Sequence, residues 1–276
     1  MNVAIKRDFY LWRGLGTAAS FALFGVAGIF LGGVVFPVSR LVPMSRSRRR
    51  AFSSGVVRAG FRTFIEIMRL LGVLTYEFRG TSRLGRPGQL IVANHPSLID
   101  VVFLLGFTPG AGCVVKAALW RNPVTGGVAS SAGYVPNYPT ETMLEGASTT
   151  LRSGQSVIMF PEGTRTTPGR PFEFHRGAAS IAVRAAQLVT PVYITVEPTT
   201  LTKHSAWHRI PPRRPHFSLV VGDDLEVESF RQNTSIPLAG RALNAFLIRH
   251  FTAALSVPTD SGVDASQVSY NPDTRA

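Results

Sequence analysis

Hydrophobic and polar positions divide the chain into three stretches. From Gly14 to Ser39 there is no charged residue, and the apolar run Leu15–Phe36 is long enough to cross a hydrocarbon core of about 30 Å as a helix. Lys6, Arg7 and Arg13 precede it, as in a secretory signal, but the run is too long for a signal core and no A-x-A-like site follows it. A membrane anchor is therefore expected. Its glycines and alanines suit close helix packing, and Pro37 and Pro43 are expected to break the helix. Residues 51–72 predict a second helix, with Arg58, Arg62, Glu66 and Arg69 on one face and Val57, Phe61, Phe64, Ile65, Met68 and Leu71 around the rest. Two readings stand: a helix capping a soluble core, or one at the lipid interface with arginines on anionic head groups.

Beyond residue 72 the pattern alternates between strand and helix. Strands are predicted at Thr75–Arg79, Gln89–Ala93, Gly112–Lys116, Ser156–Phe160, Val192–Val196 and Phe217–Val221. Helices are predicted at Pro96–Leu105, Thr140–Arg152, Gly177–Gln187 and Ile236–Leu255. Runs such as Leu90-Ile91-Val92 suit strands buried on both faces. The expected fold is α/β, a mixed sheet flanked by helices, with an N-terminal membrane-associated helical segment. Three regions follow: 1–72 as anchor and basic interfacial helix, 73–257 as the main domain, and 258–276 as a disordered tail.

Charge narrows the partners. Lys plus Arg minus Asp plus Glu is 29 − 16 = +13, which favours anionic partners. No zinc-finger spacing or arginine-rich recognition segment is present, so lipid is expected rather than nucleic acid. Arg40, Arg46, Arg48, Arg49 and Arg50 after the apolar run favour a cytoplasmic C-terminal side, although basic residues precede the run as well, which leaves open a shallow or re-entrant segment that does not cross. Cys113, the single cysteine, excludes an internal disulfide and reads as a buried small hydrophobe.

Two strand ends carry the candidate chemistry. In Gln89–Asp100 a buried strand runs into Asn94-His95-Pro96, with Pro96 suited to the first helical position and His95 at the N-cap. Asp100, expected in the second helical turn, would lean back to the His95 ring, fix its tautomer and leave the other ring nitrogen as a base. A His–x4–Asp spacing recurs by chance. The second segment, Ser156–Arg165, is another buried strand ending in a polar turn that brings Glu162, Gly163, Thr164 and Arg165 to a similar strand end. Arginine there can hold a phosphate in two bonds.

Together, in this order, the segments resemble the glycerolipid (1-acylglycerol-3-phosphate / lysophospholipid) acyltransferase family. Asn94–Asp100 resembles that family's first block and Phe160–Arg165 its third. Thr190–Ile194 resembles the fourth, and His175-Arg176-Gly177 its basic-then-glycine step before a helix. The resemblance spans roughly residues 75–222. It implies a membrane-bound O-acyltransferase with His95 as general base, Asp100 as its orienting partner, and Glu162–Arg165 on the acceptor, Arg165 facing its phosphate. The implied donor is an acyl thioester, acyl-CoA or acyl carrier protein, with no metal or redox cofactor. The acceptor expected first is 1-acylglycerol-3-phosphate. One departure touches it: after Gly133, Pro139 stands where the family's second block has an arginine. Lys116, Arg121 and Arg165 are candidates to supply that charge. Otherwise the acceptor is a lysolipid without a phosphate monoester, such as a lyso-ornithine lipid. A hydrolase using the same pair, or a non-catalytic membrane protein, are the competing classes. His175, Arg213 and Arg214 read as surface residues, Trp207 as part of an interfacial loop, and His204 with His208 as a spacing without a third metal ligand.

Overall fold

The structure is a computed structural model that describes residues 8–122, 125–203, 205–232 and 234–256. The apolar run forms α1 (Tyr10–Phe30), continues through a wider π turn at Leu31–Val35, and ends in α2 (Phe36–Ser39). The expected break at Pro37 does not occur. A proline in a helix removes one hydrogen bond and crowds the preceding turn. The π turn relieves this crowding, with the Phe36 N–H bonding to Leu31 O. The glycines in that turn allow contact with α5 (Gly126–Ser131): a Cβ on Gly127 would stand 2.6 Å from the Gly32 Cα.

The next helix, α3 (Arg46–Leu70), starts five residues before the expected position because Ser45 caps it, its hydroxyl accepting from the Arg48 N–H at 3.3 Å. Phe64, Ile65 and Met68 of α3 enter the main core. Its polar row meets protein: Arg62 lies 5.1 Å over the Phe107 ring, and Glu66 bonds Arg69 and the Tyr76 hydroxyl. In this stretch the helix caps the core, as in the first of the two sequence readings.

The domain is built on a mixed sheet of seven strands: β1 (Thr75–Arg79), β2 (Gln89–Ala93), β3 (Gly112–Val115), β4 (Val135–Pro136), β5 (Val157–Met159), β6 (Leu188–Glu197) and β7 (His216–Val221). Their order is β1-β7-β6-β2-β5-β3-β4. Only β6 and β7 pair antiparallel. The sixth strand is longer than predicted. It tolerates Pro191 because its pairing with β7 begins one residue later, at Val192.

Strand alternation sorts the core into two layers. Ile91, Ala93, Ile158 and Ile194 join α3 and α4 (Asp100–Phe107) on one face. Leu90, Val92, Val157, Met159 and Tyr193 join α6 (Thr140–Arg152), α7 (Gly177–Ala185) and α9 (Ile236–Ser256) on the other. A short helix, α8 (Glu228–Arg231), completes the chain order before α9. The tail, 258–276, lies outside the described residues, as do Lys6, Arg7 and His204.

The first helix is inverted relative to a soluble amphipathic helix. Its buried positions are Arg13, Gly16, Thr17 and Ser20, while Leu11, Leu15, Val26, Ile29 and Phe30 are exposed. The Arg13 guanidinium sits under the loop before β7, donating to the carbonyls of Asp8, Pro211, Pro212 and Arg213. Trp12 donates to Leu71 O, and Phe21 and Phe24 pack on Phe61 and Phe64 of α3.

Candidate active site

The site forms where β2 and β5 end. Asn94 extends the β2–β6 ladder with its side chain: its amide N–H donates to Ile194 O at 2.7 Å and its Oδ1 accepts the Ile194 N–H at 2.8 Å. The chain then turns through residues 95–99, and the helix begins at Asp100, four residues later than the sequence predicted. Pro96 is therefore not the first helical residue and His95 is not the N-cap. Asp100 opens the helix rather than lying in its second turn. Its carboxylate takes the free N–H groups of the turn, with Oδ2 accepting from Ser97 N–H at 2.7 Å and from His95 Nδ1 at 2.9 Å. This bonding favours a turn over an extra helical turn.

A carboxylate can only accept, so Nδ1 carries the proton and Nε2 is left as the basic nitrogen. Asp100 is fully buried, whereas the His95 side chain keeps 16% of its exposure. Burial pushes the Asp100 carboxyl up; the bonds from His95 and Ser97 and the charge of Arg165 pull it back toward ionisation. The Phe160 ring lies on the imidazole with centroids 4.3 Å apart, so the ring is held on one face as well as at one nitrogen.

The Glu162 turn grips the backbone of His95. Glu162 Oε1 accepts the His95 N–H at 3.1 Å, and Thr166 Oγ1 accepts it at 3.0 Å. The Thr166 hydroxyl donates to Glu162, and its own N–H donates to His95 O at 2.7 Å. Burial raises the Glu162 carboxyl, opposed by these bonds. Glu162 thus acts on His95, a position that strand order alone could not reveal. Sequence reading overlooked Thr166 and Phe160. Thr166 lies outside the recognised block, and a phenylalanine at a strand end reads as core.

The remaining predicted residues are dispersed. Gly163 adopts φ +63°, and a Cβ there would stand 3.0 Å from the exposed His175 ring. Thr164 is half-buried in the same turn. Arg165 donates through Nη1 to Leu201 O and Thr202 O, both at 2.8 Å, which ties the turn to the loop after β6. Lys116 follows β3 at the same sheet end, exposed, as is Arg121 in the next turn. Pro139 precedes α6 at its N-cap. Among the described residues no cluster of three or more metal-ligating side chains occurs, and His208 is exposed. Cys113 is fully buried with its thiol pushed up to about 12 by that burial, as a structural residue should be.

Beside this pair lies an apolar cavity of about 460 Å³. The turn between His95 and Asp100 contributes Leu98 and Ile99 to its wall. The cavity continues between Phe24 of α1, Gly60 and Phe61 of α3, and Val128 of α5. A histidine oriented by a carboxylate, next to an apolar cavity of ligand size, is an arrangement able to take a proton from a hydroxyl beside an apolar ligand.

Comparison with known proteins supplies the class. The protein-family model described as Acyltransferase matches residues 75–195. The 1-acyl-sn-glycerol-3-phosphate acyltransferase of Pseudomonas aeruginosa is 26% identical over 186 residues, covering 65% of this chain and 70% of that enzyme. The enzyme of that name from Cocos nucifera is 26% identical over 64% of this chain and 58% of its own length. A chloroplastic one from Arabidopsis thaliana is 31% identical over 37% and 30%, so the match spans less than two thirds of these two plant enzymes. The crystal structure of the 1-acyl-sn-glycerophosphate acyltransferase PlsC from Thermotoga maritima shares the fold, with a TM-score of 0.63, 20% identity, and coverage of 89% of this chain and 97% of that one. Residues 75–195 thus carry an acyltransferase domain, and the chain, similar to these enzymes, is an acyltransferase.

Proposed function

We propose that the protein moves a fatty acyl group from an acyl thioester to the free hydroxyl of a lysolipid, with 1-acylglycerol-3-phosphate as the acceptor. The observation that carries this reading is the His95–Asp100 pair set beside the apolar cavity. The acyl chain lies in the cavity, which brings its thioester carbonyl to the histidine. His95 Nε2 takes the proton of the acceptor hydroxyl as its oxygen attacks the carbonyl carbon. Asp100 stabilises the imidazolium formed at that moment. Collapse of the tetrahedral intermediate expels the thiolate, which recovers the proton from His95 and leaves as a thiol. The basic side chains at this sheet end, Arg165 and Lys116, bear on the acceptor phosphate and replace the charge that Pro139 lacks.

The inverted first helix supports membrane association. The most apolar 18-residue window of Tyr10–Ser39 has a mean hydropathy of 2.2, and only 6% of it is buried. Because α1 packs along α3, which itself packs on the core, a perpendicular crossing would drag core elements into lipid. The helical pair therefore lies embedded along one leaflet, with the catalytic domain on the cytoplasmic side.

The test uses the purified full-length protein with labelled acyl-CoA or acyl carrier protein, offered lysophosphatidate and lyso-ornithine lipid separately. Labelled phosphatidate is the expected product. Transfer to the lyso-ornithine lipid alone would overturn the acceptor. Release of free fatty acid at the same rate with and without acceptor would overturn transfer in favour of hydrolysis.

A further inference from the structure

A second pocket, of about 260 Å³, opens at the other end of the helical pair. The parallel strands place it. Arg50 donates to the carbonyl of Gly133, just before β4, at 3.0 Å, and its guanidinium stands 3.9 Å from a Cβ built on Gly112, the first residue of β3. These are the amino ends of strands whose carboxyl ends face His95. The pocket is thus separate from the catalytic site.

Its walls carry four arginines, Arg40, Arg46, Arg49 and Arg50, together with Ser53 and Ser130. Among the described residues none of these arginines forms an ion pair with a carboxylate. Two are fixed in place: Arg49 donates to the carbonyls of Ser39, Val42 and Met44, and Arg50 to Gly133. The amino end of the 25-residue α3 opens here, with no acidic residue in its first turn to offset its partial positive charge. The charge in this pocket is therefore uncompensated and preorganised for an anion with several oxygens.

Val38, Leu41, Val42 and Phe52 flank the arginines in the chain and are 53%, 83%, 47% and 42% exposed. A free phosphate or a nucleic acid has nothing to place on these exposed apolar side chains, whereas a lipid has its tails. We propose that this pocket binds the headgroup of an anionic phospholipid from the surrounding bilayer, its phosphate among the arginines and its chains along the exposed face of α1 and α2. The bound lipid pins the distal end of the helical pair at headgroup depth. This inference rests on the membrane placement proposed above and is independent of the acyl transfer chemistry.

The test is flotation of the full-length protein with vesicles of phosphatidylcholine alone, or of phosphatidylcholine with phosphatidylglycerol, at physiological salt. The double variant Arg40→Gln/Arg46→Gln removes the two pocket arginines that hold no backbone carbonyl. Arg48→Gln/Arg241→Gln removes the same charge outside the pocket. The wild type should partition more strongly into phosphatidylglycerol vesicles. The pocket variant should lose roughly tenfold of that preference, and the control much less. Equal losses in the two variants would overturn the site in favour of diffuse attraction. Displacement of the phosphatidylglycerol preference by millimolar glycerol 3-phosphate in the wild type, but not in the pocket variant, would overturn the lipid in favour of a small anion. Failure of the wild type to float with either vesicle would overturn both the membrane placement and this site.

Discussion

The two faces of the sheet are built to different ends. On one, α6, α7 and α9 close the layer with small side chains in tight contact. Ala178, Ala179 and Ala182 of α7 are fully buried, and a Cβ on Gly177 would stand 2.9 Å from the ends of Met143 and Met159. On the other, aromatic residues of α1 and α3 bridge a gap and leave the 460 Å³ cavity. Both faces are apolar and come from the same strands by alternation. Hydrophobicity alone therefore does not separate a stabilising layer from a binding layer; the difference lies in whether the helices that cover it approach fully. The void forgoes contact energy on one face, and the closed face supplies the rigidity that holds the strand ends in place.

Four substitutions would break or sharpen that contrast. The largest effect is expected from His95→Ala, which alters neither face. Acyl transfer should fall by roughly three to four orders of magnitude, with unchanged thermal unfolding and vesicle flotation. Transfer at the wild-type rate would remove His95 from the mechanism. Leu247→Ala, on the closed face where Leu247 is fully buried, should cost about 2–5 kcal/mol in denaturant unfolding without changing acyl-chain preference. A changed preference would mean that the closed face also shapes the binding site.

Thr166→Val keeps shape but deletes the hydroxyl between His95 N–H and Glu162. Transfer should fall roughly tenfold, as expected for one or two hydrogen bonds lost at about 1 kcal/mol each. The fall should appear in kcat more than in KM, and Thr166→Ser should restore it. Gly60→Leu should have the smallest effect on folding. A Cβ at Gly60 meets no atom within 4 Å and the residue lines the cavity, so the new side chain fills empty space and helix propensity gains up to about 1 kcal/mol. Competition between long and short acyl thioesters should shift toward the shorter. An unchanged ratio would exclude the cavity as the acyl site.

Much of this arrangement was legible before folding. The run Leu90-Ile91-Val92 and the strand Val157–Met159 are apolar on both faces because they are central and parallel, and their shortness and the proline-containing turns after them identify them. The helix at Thr140–Arg152 was bounded correctly because Pro139 and the turn after Arg152 leave no alternative. The start of α4 was misplaced because Pro96 is a good first helical residue in isolation. Only the competing claim of Asp100 on the N–H of Ser97 and the ring of His95 delays the helix.

By itself the sequence determined the chemistry available: a histidine and an aspartate close in the chain, a second polar turn after a buried strand, an uncharged helix with arginines beyond it. These depend on local spacing and composition, which a chain carries whatever its partners. Tertiary structure decided what touches what. It turned Glu162 and Thr166 toward the backbone of His95, laid Phe160 on the imidazole, tied Arg165 to Leu201 and Thr202, and held α1 and α3 far enough apart to leave a cavity. Each of these side-chain contacts joins residues 36 or more positions apart. Their energies depend on distances that only the packed sheet and its helices set.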